Sequence, residues 1–417
     1  MSNSSLRDAC LQRFLKYVTF DTQSDENSAT YPSTAKQLEL LKHLLKELQA
    51  IGLKDAAMDE HGYVFATIPA TTKKPNVPVV GFIAHVDTSP EMPGAGVKPI
   101  VHKNYQGQDI VLPDETTAIL KFKDNPALAE QIGCDIVTAS GTTLLGADNK
   151  SGVAEIVATA EYLMNHPEIP HGAIRIGFTP DEEVGNGTKH FDVKKFGAVA
   201  AYTMDGETRG ELEMETFSAD AMTVTFQGFN THPGYAKGKM VNAIKVAADF
   251  IDRLPKDRLS PEMTTGYDGY VHPYVVNASV EKTSVKLLLR DFKTPKLREQ
   301  QTFVENLAKE TAADWAGSSV ECKVEESYRN MKEVLDGHPQ VVENAREAIR
   351  RAGLTVREHP IRGGTDGSRL CFMGLPTPNI FAGEHNFHSR LEWVSAEDME
   401  LAAKVIVQLV QVWEERA

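Results

Sequence analysis

The chain has few cysteines, no long apolar run and no block of basic residues, and each absence excludes a class of protein. Only four of its 417 residues are cysteines: Cys10, Cys134, Cys322 and Cys371. They lie far apart with no C-x-x-C pair, which argues against a disulfide framework and reads as reduced, mostly buried thiols in a reducing compartment. Nowhere do about 18 apolar residues run together, so no membrane-spanning helix is expected. The first residues, MSNSSLRDACLQRFLKYVTF, lack the apolar core and small-residue cleavage site of a signal peptide, while Leu6, Leu11, Phe14, Leu15 and Val18 fall at helical spacing. A soluble, cytoplasmic protein is the expectation, with no membrane partner. The formal net charge of −14, without clustered Lys or Arg, gives a surface that a phosphate backbone repels, so nucleic acid is not an expected partner either. Missing too are G-x-x-x-x-G-K-[ST], G-x-S-x-G and H-E-x-x-H, which leaves P-loop, α/β-hydrolase and zincin chemistry without support.

What is present suits a folded enzyme. Hydrophobic residues make up 41% and charged residues 24% of the chain, an ordinary globular balance. The length suggests roughly two to three domains of about 150 residues. Thr34 followed by Gln37 resembles a capping box, after which Leu38, Leu41, Leu45 and Leu48 mark one helical face and Gly52 closes the helix. Continuous apolar runs at 79–84, 173–179, 198–204 and 379–382 read as buried strands, and 150–166 and 395–413 as helices. Their alternation predicts a layered α/β catalytic domain with a mostly parallel central sheet, over 1–216 and 329–417. Between them, strand, helix, strand, strand, helix and strand follow in turn, the order of a ferredoxin-like α+β module inserted as a lid over 217–328.

Acidic and histidine residues gather where these strands end. His85 and Asp87 follow the first run, Asp181, Glu182 and Glu183 the second, Asp205 the third, and His388 lies in the loop after the fourth. Asp148 precedes the helix that starts near Lys150. In open α/β sheets ligands bind beyond the carboxyl ends of strands, so these loops can converge on one crevice. One acidic residue after a strand is ordinarily a helix cap or a solvated carboxylate; several with the same placement point to a metal site. Two imidazoles and several carboxylates with no thiol nearby suit Zn²⁺, and less often Mn²⁺ or Co²⁺.

Seven runs occur in order: GFIAHVDTSP, LLGADNKSGVAEI, FTPDEEVGNG, MDG, GFNTHPG, RGGTDGSRL and EHNFHS. Together they resemble the aminoacylase and carboxypeptidase-G family of two-zinc metallopeptidases, in its tripeptide aminopeptidase branch, over nearly the whole chain. The resemblance implies a hydrolase that releases the N-terminal residue of tripeptides with two Zn²⁺ per chain. It implies His85 and Asp205 as ligands of one zinc, Glu183 and His388 as ligands of the other, and Asp148 as the bridge between them. Glu182 matches the general base acting on a metal-bound water, and Asp87 the carboxylate that orients His85. Relatives commonly read Asp-Gly-Gly where this chain has Asp205-Gly206-Glu207, which puts only local loop contacts in question.

For substrate reading, the resemblance makes His232 a contact to the scissile carbonyl oxygen, with the lid closing over the metals. Arg290 is a candidate clamp for a substrate carboxylate, since guanidinium pairs with it bidentately. The turn from Arg362 through Gly364 and Thr365 can present backbone N–H groups to a peptide. Carboxypeptidases, dipeptidases and deacylases of the family use the same metals and stay open as alternatives. A silent scaffold does not explain Glu182. Lids of this kind pair into dimers in some members, so monomer and homodimer are both open.

Overall fold

The computed structural model of the chain describes residues 5–417, which divide into two compact units. The first comprises Met1–Met214, Val334–His359 and Thr365–Ala417; the second comprises Glu215–Glu333 with Pro360–Gly364.

The first unit is built on a seven-stranded sheet. Its centre is four parallel strands in the order Ile174–Thr179, Val80–His85, Ala200–Gly206 and Asn379–Phe381. Short antiparallel strands complete both edges, Val64–Ile68 and Ala57–Met58 on one side and Leu212–Glu213 on the other. Every residue of Val80–His85 is buried, as an apolar strand covered on both faces requires. Because these four strands are parallel, their carboxyl ends at His85, Thr179, Gly206 and Phe381 share one edge of the sheet. The α/β expectation is borne out, each strand lying within two residues of its apolar run.

The Ala147–Asn165 helix packs on Val80–His85 and against the Leu6–Tyr17 and Ala396–Glu415 helices, which also touch each other. It is buried along almost its whole length, so its sequence shows no polar stripe. Gly152 sets how closely it crosses the sheet, because a Cβ there would overlap the carbonyl oxygen of Met204. That approach brings Asp148 near Asp205. Sequence reading did not anticipate a second, antiparallel sheet of two- and three-residue strands: Glu384–His385, Trp393–Ser395, Ile136–Thr138 and Ile100–His102. Strands so short leave no period to read.

One local expectation fails. The Gln37–Ile51 helix is capped by Lys36 with no side-chain bond, so Thr34 and Gln37 form no capping box. Gln37 is fully buried and spends its amide on Asp181, 144 residues away. Gly52 does end the helix in the left-handed conformation, φ 107°.

The second unit follows the strand, helix, strand, strand, helix, strand order, with an antiparallel sheet ordered Tyr270–Ala278, Lys282–Asp291, Ser218–Gln227 and Ser319–Tyr328. Burial alternates along Lys282–Asp291, and Val285, Leu287 and Leu289 pack with Phe226, Val246, Phe250 and Val304. Each large side chain buried this way contributes about 2–3 kcal/mol. Among the described residues, no helix is long and apolar enough to cross a membrane. All four cysteines are free; Cys10 and Cys371 are buried, Cys134 and Cys322 only partly.

Candidate metal centre

Two triplets of side chains meet at the shared carboxyl edge of the parallel strands, and Asp148 belongs to both. In the first, His85 Nε2 lies 2.9 Å from Asp148 Oδ1 and 3.3 Å from Asp205 Oδ1. In the second, His388 Nε2 lies 3.2 Å from Asp148 Oδ2 and 2.8 Å from Glu183 Oε2. Within each triplet the facing atoms all lie within 4.8 Å of one another. The two oxygens of one carboxylate therefore serve two histidines from opposite ends of the chain. His388 itself adopts φ 59°, a left-handed turn between the strands Glu384–His385 and Trp393–Ser395.

The tautomer of His85 is fixed by its other nitrogen. Nδ1 faces two acceptors, the Asp87 carbonyl at 3.1 Å and Asp87 Oδ1 at 3.3 Å, so it carries a hydrogen. Nε2 of a neutral ring then aims a lone pair at two carboxylates, which repels unless positive charge sits between them. His388 repeats the arrangement, with Nδ1 3.3 Å from Glu91 Oε2. Protons alone answer by charging the rings. Burial lowers the His388 pKa, but Asp148 and Glu183 outweigh it and push it up to about 11. For His85, burial is outweighed by Asp205, Asp148 and Asp87, again raising it. Burial and the neighbouring Asp148 push Glu183 up to about 8 against the pull of His388. Glu183 Oε1 is buried without a hydrogen-bond partner, and Asp205 Oδ1 lacks hydrogen-bond geometry toward His85. One imidazole nitrogen and two carboxylates per triplet, short of positive charge and of partners, is a donor set that fits a divalent cation such as Zn²⁺ in each.

Glu182 stands apart from its neighbour. Its carboxylate makes no hydrogen bond or ion pair among the described residues, and it belongs to neither triplet. Burial raises its pKa well above the usual value; His85 opposes this, while Asp366, Asp205 and Glu183 add to it. The backbone of the pair is clasped by Asp87, whose Oδ1 and Oδ2 accept from Glu182 N at 3.0 Å and Glu183 N at 3.2 Å. Asp87, fully buried, thus touches His85, Glu182 and Glu183 together.

Asp181 fixes the same loop from behind at φ 62°. Its carboxylate accepts from Ser33 N at 2.6 Å, Ser33 Oγ at 2.5 Å and Gln37 Nε2 at 2.6 Å. Asp181→Ala removes all three and places alanine in the left-handed region, so it is expected to lower unfolding free energy by about 2–4 kcal/mol. Asp181→Asn, which keeps an acceptor and tolerates that turn, should cost less. Denaturant unfolding measures both, and a loss below about 0.5 kcal/mol for the alanine variant would contradict the clasp.

The expected substrate-reading residues divide between the units. His232 is exposed in the second, its Nδ1 accepting from Gly234 N at 3.2 Å. Arg290 lies over the Tyr328 ring, 5.4 Å from its centroid. Arg362 is committed inside that unit, donating to the Gly266 carbonyl at 2.6 Å, the Asp268 carbonyl at 2.9 Å and Thr264 Oγ1 at 3.1 Å. Gly364 packs against Tyr328, where a Cβ would not fit. Thr365 corrects the expectation of a free backbone donor: it caps the Asp366–Phe372 helix and its N–H goes to Ser368 Oγ at 3.2 Å. Sequence reading also missed Glu91, Ser33, Gln37 and Glu392, none of which shares a local motif with the residue it supports.

Comparison with known proteins places the chain in a family. The model of peptidase family M20/M25/M40 matches residues 144–412. Peptidase T of Clostridium botulinum (strain 657 / Type Ba4) is 50% identical over 406 residues, covering 97% of this chain and 99% of that protein. Peptidase T of Geobacillus kaustophilus is 46% identical over 412 residues, covering 99% and 100%. Among solved structures, an aminopeptidase of Bacillus cereus superposes with TM-score 0.75 at 23% identity over 98% of both chains. A Bacillus subtilis protein described as a dinuclear metal-binding peptidase superposes with TM-score 0.65 at 15% identity over 99% of both chains. These structures share the fold; the sequence relatives and the family model carry the assignment. The chain is an enzyme, a peptide-bond hydrolase, and belongs to peptidase family M20/M25/M40.

Proposed function

We propose that the chain is a cytoplasmic tripeptide aminopeptidase that binds two Zn²⁺ and uses Glu182 as its general base. The observation that carries the reading is an unpaired carboxylate, Glu182, beside two triplets joined through Asp148. The peptidase T relatives support the substrate class. His85, Asp148 and Asp205 would hold one ion, and Asp148, Glu183 and His388 the other. When bound, such a pair polarises a carbonyl and lowers the pKa of water toward ~7. Glu182 takes the proton of the attacking water on its carboxylate and hands it to the leaving amine, for which it must stay outside the ligand set. Asp87 keeps His85 Nδ1 protonated and holds the Glu182 and Glu183 backbone in place. His232, Arg290, Arg362, Gly364 and Thr365 belong to the proposal as substrate-reading residues, Thr365 through the hydrogen of its hydroxyl, since its N–H and carbonyl are taken by Ser368.

An aminopeptidase recognises the free α-ammonium, and a missing charge partner in a desolvated site costs several kcal/mol. N-acetyl-tri-Ala is therefore expected to be cleaved at least ~100-fold less well than tri-Ala, a loss of ~2.7 kcal/mol. Product analysis on tri-Ala, di-Ala and N-acetyl-tri-Ala, with and without chelator, checks it. Equal rates on the free and acetylated peptides would move the reading to a deacylase or carboxypeptidase.

A further inference from the structure

Three backbone N–H groups leading into the Ala147–Asn165 helix converge on one carboxylate more than 240 residues away. Glu392 Oε2 accepts from Leu145 N at 2.6 Å and Gly146 N at 2.8 Å, and Oε1 accepts from Asp148 N at 3.0 Å. Gly146 has φ 83° and no side chain, and Asp148 and Asn149 are non-helical, so regular helix starts only after Asn149, whose Oδ1 accepts from Gly152 N at 3.2 Å. The three donors of the segment before it find their acceptor only through the fold. A carboxylate there also complements the positive end of the helix dipole. Glu392 is 1% exposed, so removing it strands three donors away from water.

Glu392 also follows His388 by four residues, and the loop between them is tied to itself. Ser389 Oγ donates to the Asn386 carbonyl at 2.6 Å, Leu391 N donates to Ser389 Oγ at 3.2 Å, and Glu392 N donates to the Ser389 carbonyl at 3.3 Å. One short, self-bonded loop therefore meets Asp148 twice, through His388 at its side chain and through Glu392 at its backbone.

We propose that Glu392 is a positioning residue for the second metal triplet, fixing Asp148 relative to His388. The proposal rests on the reading that Asp148, Glu183 and His388 hold a cation. It differs from a plain helix cap in what it predicts for metal affinity. In chelator competition on the zinc-loaded full chain, Glu392→Gln is expected to hold the zinc on the His388 side about 10–100-fold more weakly, and the zinc on the His85 side, which shares Asp148, to lose clearly less. The amide keeps one acceptor oxygen but turns an NH₂ toward one of the donors. Circular dichroism establishes that the variant is folded; should it not fold, Glu392→Asp, which keeps the charge, carries the test with a smaller shift in the same direction. Ser395→Ala removes the cap of the neighbouring Ala396–Glu415 helix and should leave both affinities unchanged. Two zinc ions held as in wild type by folded Glu392→Gln would overturn the proposal and leave Glu392 a helix cap. Equal weakening of both ions, or of either ion in Ser395→Ala, would overturn it as a general loss of stability. A wild-type chain that binds no zinc would fail one step earlier, at the metal reading itself, and take the proposal with it.

Discussion

Glu182→Gln keeps two zinc ions per chain and loses about a thousandfold or more in turnover of tri-Ala, the upper range for removing a general base. The amide has nearly the shape of the carboxylate but cannot accept the water's proton. Metal content should not change, because Glu182 lies outside both triplets while Glu183 Oε2 sits 2.8 Å from His388 Nε2. The loop should also keep its place, since Asp87 holds it through the backbone N–H groups of Glu182 and Glu183 and not through the Glu182 side chain. Steady-state kinetics with metal analysis on the same sample checks both halves. Loss of zinc in this variant would show that the base and ligand roles of Glu182 and Glu183 are exchanged.

Asp148→Ala is expected to abolish hydrolysis and bring bound zinc below two per chain. It is the residue whose two oxygens face different histidines, at 2.9 Å and 3.2 Å, so its removal opens both triplets at once. Burial raises the Asp148 pKa, yet His388 and His85 outweigh it and hold the carboxyl below its usual range, as a bridge between positive groups requires. Its removal leaves the remaining carboxylates repelling one another around fewer cations, which compounds the loss. The backbone N–H of residue 148 still reaches Glu392 in the variant, so the fold should survive. Full zinc content with retained turnover would remove Asp148 from the ligand set.

Much of this was legible in the sequence because parallel α/β sheets write their sites in one place. Continuous apolar runs gave the strands ending at His85 and Thr179, and whatever follows such strands lies on one edge. The candidate cluster was therefore readable from position and residue type, while its division into ligands, bridge and base came from the family resemblance. What stayed hidden depends on pairings across the chain. Thr34 and Gln37 carry the letters of a capping box, yet burial turned the Gln37 amide to Asp181. Thr365 looked like an open glycine-rich turn, yet a serine three residues on consumed its N–H. Glu392 had no local signature because its partners are the backbone groups of a segment more than 240 residues earlier. The sheet that carries His388 escaped because strands of two and three residues have no measurable alternation.

The central claim is that two cations, bound by triplets sharing Asp148, are needed for peptide hydrolysis. It is tested most directly by titrating Zn²⁺ into metal-free protein while following alanine release from tri-Ala. The account predicts negligible hydrolysis without metal, full activity at two equivalents per chain and none after excess chelator. Undiminished hydrolysis by the metal-free, chelator-treated chain would contradict it.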